Sequence, residues 1–187
     1  MSKLSATDSL LQYTNNIAML RLQSNFIGVK PQNNILNTKV NASDKIKDIK
    51  SLERLFIPFY EHASAKSYKC KGVRKHCYRY AMLASLEHDN LVYCEGIASS
   101  ASCGVPLPHA WCVDKKTGLV VDPTWKRKYK GNGYVGIPMQ RSFVSAILLH
   151  TKVYGILDNL WLCKKAYDFS VSDIVHSDFL DRVAYNL

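Results

Sequence analysis

The sequence predicts an α+β fold in which helices pack on a small antiparallel sheet. Three observations predict it. Apolar residues recur at three- and four-residue spacing in the first half of the chain. Short runs rich in β-branched and aromatic residues, separated by turn residues, gather between Leu91 and Ile137. Helices come first and strands later, which favours α+β over an alternating parallel arrangement. At 187 residues the chain fits one domain. We divide it into an N-terminal helical extension (1–63), a segment holding the core motifs (64–138) and a C-terminal extension of helix and strand (139–187).

The elements follow in order. Ser5 or Thr7 caps a first helix running to about Leu22, with Leu10, Leu11, Tyr13, Ile17, Leu20 and Leu22 as its stripe. Gly28 to Thr38, with Pro31, reads as a loop. Ser43-Asp44 opens a second helix carrying Ile46, Ile49, Leu52, Leu55 and Phe56, which Pro58 kinks or ends. A third helix covers Cys77 to about His88, and Asp89-Asn90 ends it. Leu91 to Ala98 is a strand, followed by a small-residue loop from Ser99 to Pro108. His109–Asp114 and Leu119–Asp122 form a hairpin through Lys115-Lys116-Thr117-Gly118. Gly131-Asn132-Gly133 signals a turn before a short strand at Tyr134–Ile137. Phe143–Leu149 reads as helix, Tyr154–Leu157 as strand and Ser172–Tyr185 as helix.

Composition narrows the function classes. Hydrophobic residues make up 47%, so the chain is not mainly disordered. No stretch reaches the roughly 20 apolar residues of a membrane-spanning helix, and the first residues lack the apolar core of a signal peptide. The six cysteines are therefore expected as reduced thiols in a cytoplasm. No Cys-x-x-Cys pair occurs, and the His and Cys spacings fit no zinc module, so no metal or other cofactor is expected. The net charge is +10, but it is not spread evenly. Ser64–Arg79 contributes +6 and Lys115–Lys130 contributes +5, leaving the remainder at −1. Two local patches argue against a uniform nucleic-acid coat.

Four pieces carry chemistry: His76-Cys77-Tyr78-Arg79-Tyr80-Ala81, Tyr93-Cys94-Glu95-Gly96, Pro108-His109-Ala110-Trp111 and Val121-Asp122-Pro123-Thr124-Trp125. Cys77 sits where a helix should begin, and a helix N-terminus stabilises a thiolate. Arg74, Lys75 and Arg79 act in the same direction. His109 opens one strand of the hairpin and can take the thiol proton. Asp122 closes the other strand and can orient the imidazole, the logic of a Cys–His–Asp triad. Glu95 either lines the site or serves a structural pairing. Trp111 either packs in the core or meets substrate, and Lys126 follows the Asp122 motif closely enough to reach it.

Together, in this order, the four pieces resemble the transglutaminase-like core of the papain-like cysteine-enzyme superfamily. They resemble more closely a group of small phage and bacterial proteins with Cys-Tyr-x-x-Ala, Glu-Gly, His-Ala-Trp and Asp-Pro-Thr-Trp motifs. The resemblance spans about Gly72 to Pro138. It implies Cys77 as nucleophile, His109 as general base and Asp122 as its orienting partner. It also implies a protease, deamidase or acyl transferase acting on an amide, isopeptide or related acyl bond. Tyr78 stands where many members of the superfamily have Trp.

If the triad assembles, both basic patches are expected beside it, favouring an acidic protein or another anionic substrate over nucleic acid or membrane. The alternative is a catalytically inactive fold that binds or inhibits a partner, such as a host factor, through its basic face.

Overall fold

The computed structural model describes residues 40–46, 51–52, 54–59, 72, 76–100, 107–125, 131–159 and 169–184. The expected first helix, the loop after it and most of the first basic segment lie outside these residues.

The architecture is α+β. Five antiparallel strands form one sheet: β1 (Ile57–Phe59), β2 (Leu91–Ser100), β3 (Leu107–Asp114), β4 (Val120–Val121) and β5 (Gly131–Pro138). Their spatial order is β1-β5-β2-β3-β4. Helix α1 (Cys77–Glu87) packs on β2 and β3, and α2 (Arg141–Thr151) follows β5 directly. The short helices α3 (Val171–Ile174) and α4 (Leu180–Ala184) flank a 3-10 turn at Ser177–Phe179.

β2 is buried from Leu91 to Ala98, because both sheet faces are covered. Residues directly opposite one another share a face. On the first face, α1 docks through Ala81, Met82 and Ala84, and the Cys112 thiol donates to the Ala81 carbonyl at 3.1 Å. The second face is aromatic. Phe59 meets Trp111 and Phe179 edge-on, and Trp111 lies 5.0 Å from Tyr134 between ring centroids. Arg182 covers the Phe59 ring at 4.8 Å and donates to the Pro58 carbonyl.

Several boundaries differ from the sequence expectation for tertiary reasons. Pro58 lies inside β1 instead of ending a helix. β1 is an edge strand, where a missing N–H is tolerated. The segment opening at Ser43 is drawn out of helix near Lys45, which bridges Ser170, while Ile46 N–H donates to the Phe169 carbonyl. Gly131-Asn132-Gly133 belongs to β5, next to a register shift at Ser99/Ser100, and is not a turn. The helix expected over Ser172–Tyr185 breaks at Val175-His176, where Val175 bridges Met139 and His176 N–H donates to the Pro138 carbonyl. Tyr154–Leu157 is not a strand but leads into a 3-10 turn at Leu157–Asn159.

The expected hairpin turn does form. Asp114 accepts from the N–H groups of Lys116 and Thr117, and Gly118 adopts φ 71°. This places Lys115 and Lys116 six or more residues from His109 along β3, about 20 Å at roughly 3.3 Å per residue. That part of the second basic segment therefore lies away from His109, contrary to the expected convergence of both patches.

Two glycines fix the centre of the sheet. Gly96 faces His109 on one side and Gly136 on the other. A Cβ on Gly96 would fall 2.1 Å from the Val135 carbonyl oxygen and 2.5 Å from the Gly136 Cα. One on Gly136 would fall 2.6 Å from the Trp111 ring. These neighbours are mostly backbone, so nothing flexible can yield. Gly96→Ala should thus destabilise the protein by more than the roughly 1–3 kcal/mol of ordinary overpacking. Urea denaturation measures it, and a midpoint equal to wild type would contradict this packing.

Candidate active site

The site begins with a turn of four residues. Asp122 leaves β4 immediately, and its Oδ1 accepts from its own turn: Thr124 N–H at 2.8 Å, Trp125 N–H at 2.9 Å and the Thr124 hydroxyl at 3.0 Å. An aspartate that accepts from N–H groups two and three residues onward closes such a turn by itself. Pro123 has no N–H to satisfy. The carboxylate's other oxygen remains available, and Oδ2 takes the His109 Nε2 at 2.6 Å and the Tyr134 hydroxyl at 3.1 Å. Trp125 then stacks on the imidazole, with ring centroids 4.4 Å apart and planes at 28°.

Strand register brings His109 to this carboxylate. Cys112 and Val113 pair with Val121 and Val120, so Asp122 follows the last paired residue and faces back along β3. β4 covers only those two residues of β3. The edge of β3 around His109 and Ala110 is therefore not covered by β4, and α1 brings Cys77 to it. The Cys77 thiol is half-buried, and the His109 imidazole and the backbone N–H groups of Ala110 and Tyr78 lie near enough to act on its charge. Nε2 is engaged by Asp122, which leaves Nδ1 for the thiol.

The electrostatics follow from these contacts. Burial opposes ionisation of Cys77, yet the nearby His109 imidazole and the two N–H groups outweigh it and lower the thiol pKa. Burial likewise disfavours a charged His109. The adjacent Asp122 carboxylate, and then Cys77, reverse this and raise the imidazole to about 9. Burial would raise Asp122, but His109 and the turn N–H groups hold it below the ordinary carboxylate value. Burial and the Asp122 charge push Tyr134 upward, so its hydroxyl stays a donor. The arrangement favours a thiolate–imidazolium pair oriented by a carboxylate.

The other sequence candidates fall elsewhere. Arg74, Lys75 and Lys126 lie outside the described residues. Arg79 is exposed on the first turn of α1, its guanidinium over the rings of Tyr80 at 6.0 Å and Tyr154 at 5.9 Å. Trp111 is 0% exposed and packs among Phe59, Tyr134 and His109, so its ring is not available to a substrate. Glu95 is 1% exposed and bonded to Tyr93 and to the backbone near Ile156, so it does not line an open cleft. Gly72 N–H donates to the Pro123 carbonyl at 2.9 Å, which seats that point of the first basic segment against the Asp122 turn.

Thr124, Trp125 and Tyr134 are the site residues that the sequence did not single out for these roles. Thr124 was findable, because Asp-Pro-Thr carries its own turn chemistry. Tyr134 was not, since only the pairing of β5 across β2 brings it near. Among the described residues, no three His, Cys, Asp or Glu side chains cluster as metal ligands, and no helix is long and apolar enough to cross a membrane. No family model, curated protein or solved structure matches the chain.

Replacing Asp122 tests the electrostatics. In Asp122→Asn, burial should dominate and the His109 midpoint should fall from about 9 to near or below 6.5, followed by NMR titration. The raised value also implies a stabilisation that is complete below pH 6.5 and lost as pH rises through about 9. The lowered Cys77 thiol contributes in the opposite sense over the same range, so the decline in melting temperature should be read in Cys77→Ala and should flatten when Asp122→Asn is added.

Proposed function

We propose that this protein is a cysteine-dependent enzyme acting on an amide, isopeptide or related acyl bond, with a transglutaminase-like core. One observation carries the reading: the buried Asp122–His109 contact at 2.6 Å, with the half-buried Cys77 thiol at the start of α1 within electrostatic reach of the imidazole. Cys77 is the nucleophile, His109 the general base and acid, and Asp122 the group that orients the imidazole and stabilises its charge.

In the first half-reaction the Cys77 thiolate attacks the acyl carbon and a C–S bond forms. His109 donates its proton to the departing nitrogen as the C–N bond breaks. In the second, water or an amine attacks the thioester while His109 accepts its proton, and Cys77 leaves again as thiolate. Water gives proteolysis or deamidation, and an amine gives transfer. The backbone N–H of Cys77, at the start of α1, is placed by position to meet the developing oxyanion.

An anionic substrate, such as an acidic protein, suits the charge around this site. Arg79 is exposed two residues after the nucleophile, and the first turn of α1 contains no acid. A cytoplasmic setting suits a reduced nucleophile.

The decisive comparison exposes a cell lysate to wild-type and Cys77→Ala protein. Mass spectrometry should find cleavage, a deamidation mass shift or a covalent adduct only with wild type. Retention of full biological activity by both Cys77→Ala and Cys77→Ser would instead leave the binding or inhibitor reading standing. With a substrate in hand, kcat/KM should fall as salt rises, because screening weakens the attraction to Arg79 and any other cation near the site. A flat profile would remove the anionic-substrate assignment while leaving the triad untouched.

A further inference from the structure

We infer that Glu95 is a positioning residue for the nucleophile: its buried carboxylate pins the Gly155–Leu157 segment against Tyr78, beside Cys77. The inference rests on the Cys77–His109–Asp122 reading and extends it to a carboxylate on the sheet face opposite His109.

Helix α1 starts without the usual help. His76 makes no side-chain capping bond, and the first turn contains no acid. A good cap contributes about 1 kcal/mol and fixes the geometry of the first turn. That turn carries both Cys77 and the Tyr78 N–H near its thiol, so something else must hold it.

Gly155 is the neighbour that meets it. A Cβ there would lie 3.5 and 3.6 Å from the Tyr78 ring, an ordinary contact distance, so the Gly155 backbone borders that side chain. Gly155 adopts φ 97°, open to glycine and strained for other residues. The segment is held in turn by Glu95. Ile156 N–H donates to Oε1, Leu157 N–H donates to Oε2 at 2.9 Å, and the Tyr93 hydroxyl donates to Oε1 at 2.5 Å.

All three of these partners donate. Two are backbone N–H groups that cannot accept, so the set fits a group that only accepts, which is an ionised carboxylate. Burial at 1% exposure makes a mismatch costly. Strand order supplies the link back to chemistry. Glu95 lies opposite Ala110, whose N–H is also near the Cys77 thiol, and the Tyr93 hydroxyl lies close enough to Cys77 and Tyr78 to feel their charges.

Iodoacetamide alkylation of Cys77 across pH 5 to 10 tests this without a substrate, using the full chain in wild type, Glu95→Gln, Gly155→Ala and His109→Ala. Circular dichroism identifies the folded variants. Glu95→Gln presents an amide donor to a set of donors and should release the segment. The thiol midpoint should then move up toward the ordinary value of about 8.5, and a rise of one pH unit lowers alkylation at pH 6.5 about ten-fold. Gly155→Ala leaves Glu95 in place and strains the backbone at φ 97°, shifting the segment that borders Tyr78, so it should move the midpoint in the same direction and serves if Glu95→Gln does not fold. A folded Glu95→Gln, or failing that a folded Gly155→Ala, with the wild-type profile overturns the positioning role. The parent reading fails separately: wild type would then titrate as an ordinary thiol and His109→Ala would change nothing.

Discussion

The buried carboxylate of Asp122 organises this protein. It accepts five hydrogen bonds, three from its own turn and two from side chains on β3 and β5. A buried charge is tolerable only with such compensation. Each donor is consequently constrained. Thr124 and Trp125 are held in the turn, Tyr134 reaches across from β5 and His109 is fixed in ring plane as well as position. The Trp125 ring that lies on the imidazole is delivered by the same turn. One side chain thus sets the end of β4, the stacking on His109 and the charge felt by the imidazole.

The second constraint is the brevity of β4. A longer strand would continue pairing along β3 past Cys112 and occupy the edge at His109 and Ala110. Because pairing stops at Val121, that edge is left for the first turn of α1. The aromatic face of the sheet supplies the other half of the arrangement. Gly96 lets the β5 backbone approach, Gly136 leaves room for the Trp111 ring, and Trp111 in turn backs His109.

What was legible in the sequence was what local spacing controls. Helix α1, strand β2 and the β3–β4 hairpin follow from periodicity and turn residues close at hand. The register of that hairpin then brings Asp122 to His109. Features set by distant pairing were hidden. Pro58 sits in a strand because β5 pairs with it from much later in the chain. Val175 leaves helix because Met139 bridges it. Tyr154–Leu157 has an apolar, strand-like composition, but two of its N–H groups are claimed by Glu95 instead of a strand. Glu95 and Trp111 illustrate the same limit for the site. The sequence left both open between the site and the core, and the sheet places both side chains in the interior.

The span of these contacts has a consequence in time. Glu95 receives its backbone donors from residues 61 and 62 positions downstream, and Asp122 completes its set only with Tyr134. During synthesis Cys77 emerges long before either carboxylate can be enclosed. In a nascent chain the contacts that Glu95 makes are therefore incomplete until the residues up to Leu157 have been made. Late closure of this kind ties the surroundings of Cys77 to the folding of the whole sheet and not to the helix that carries it.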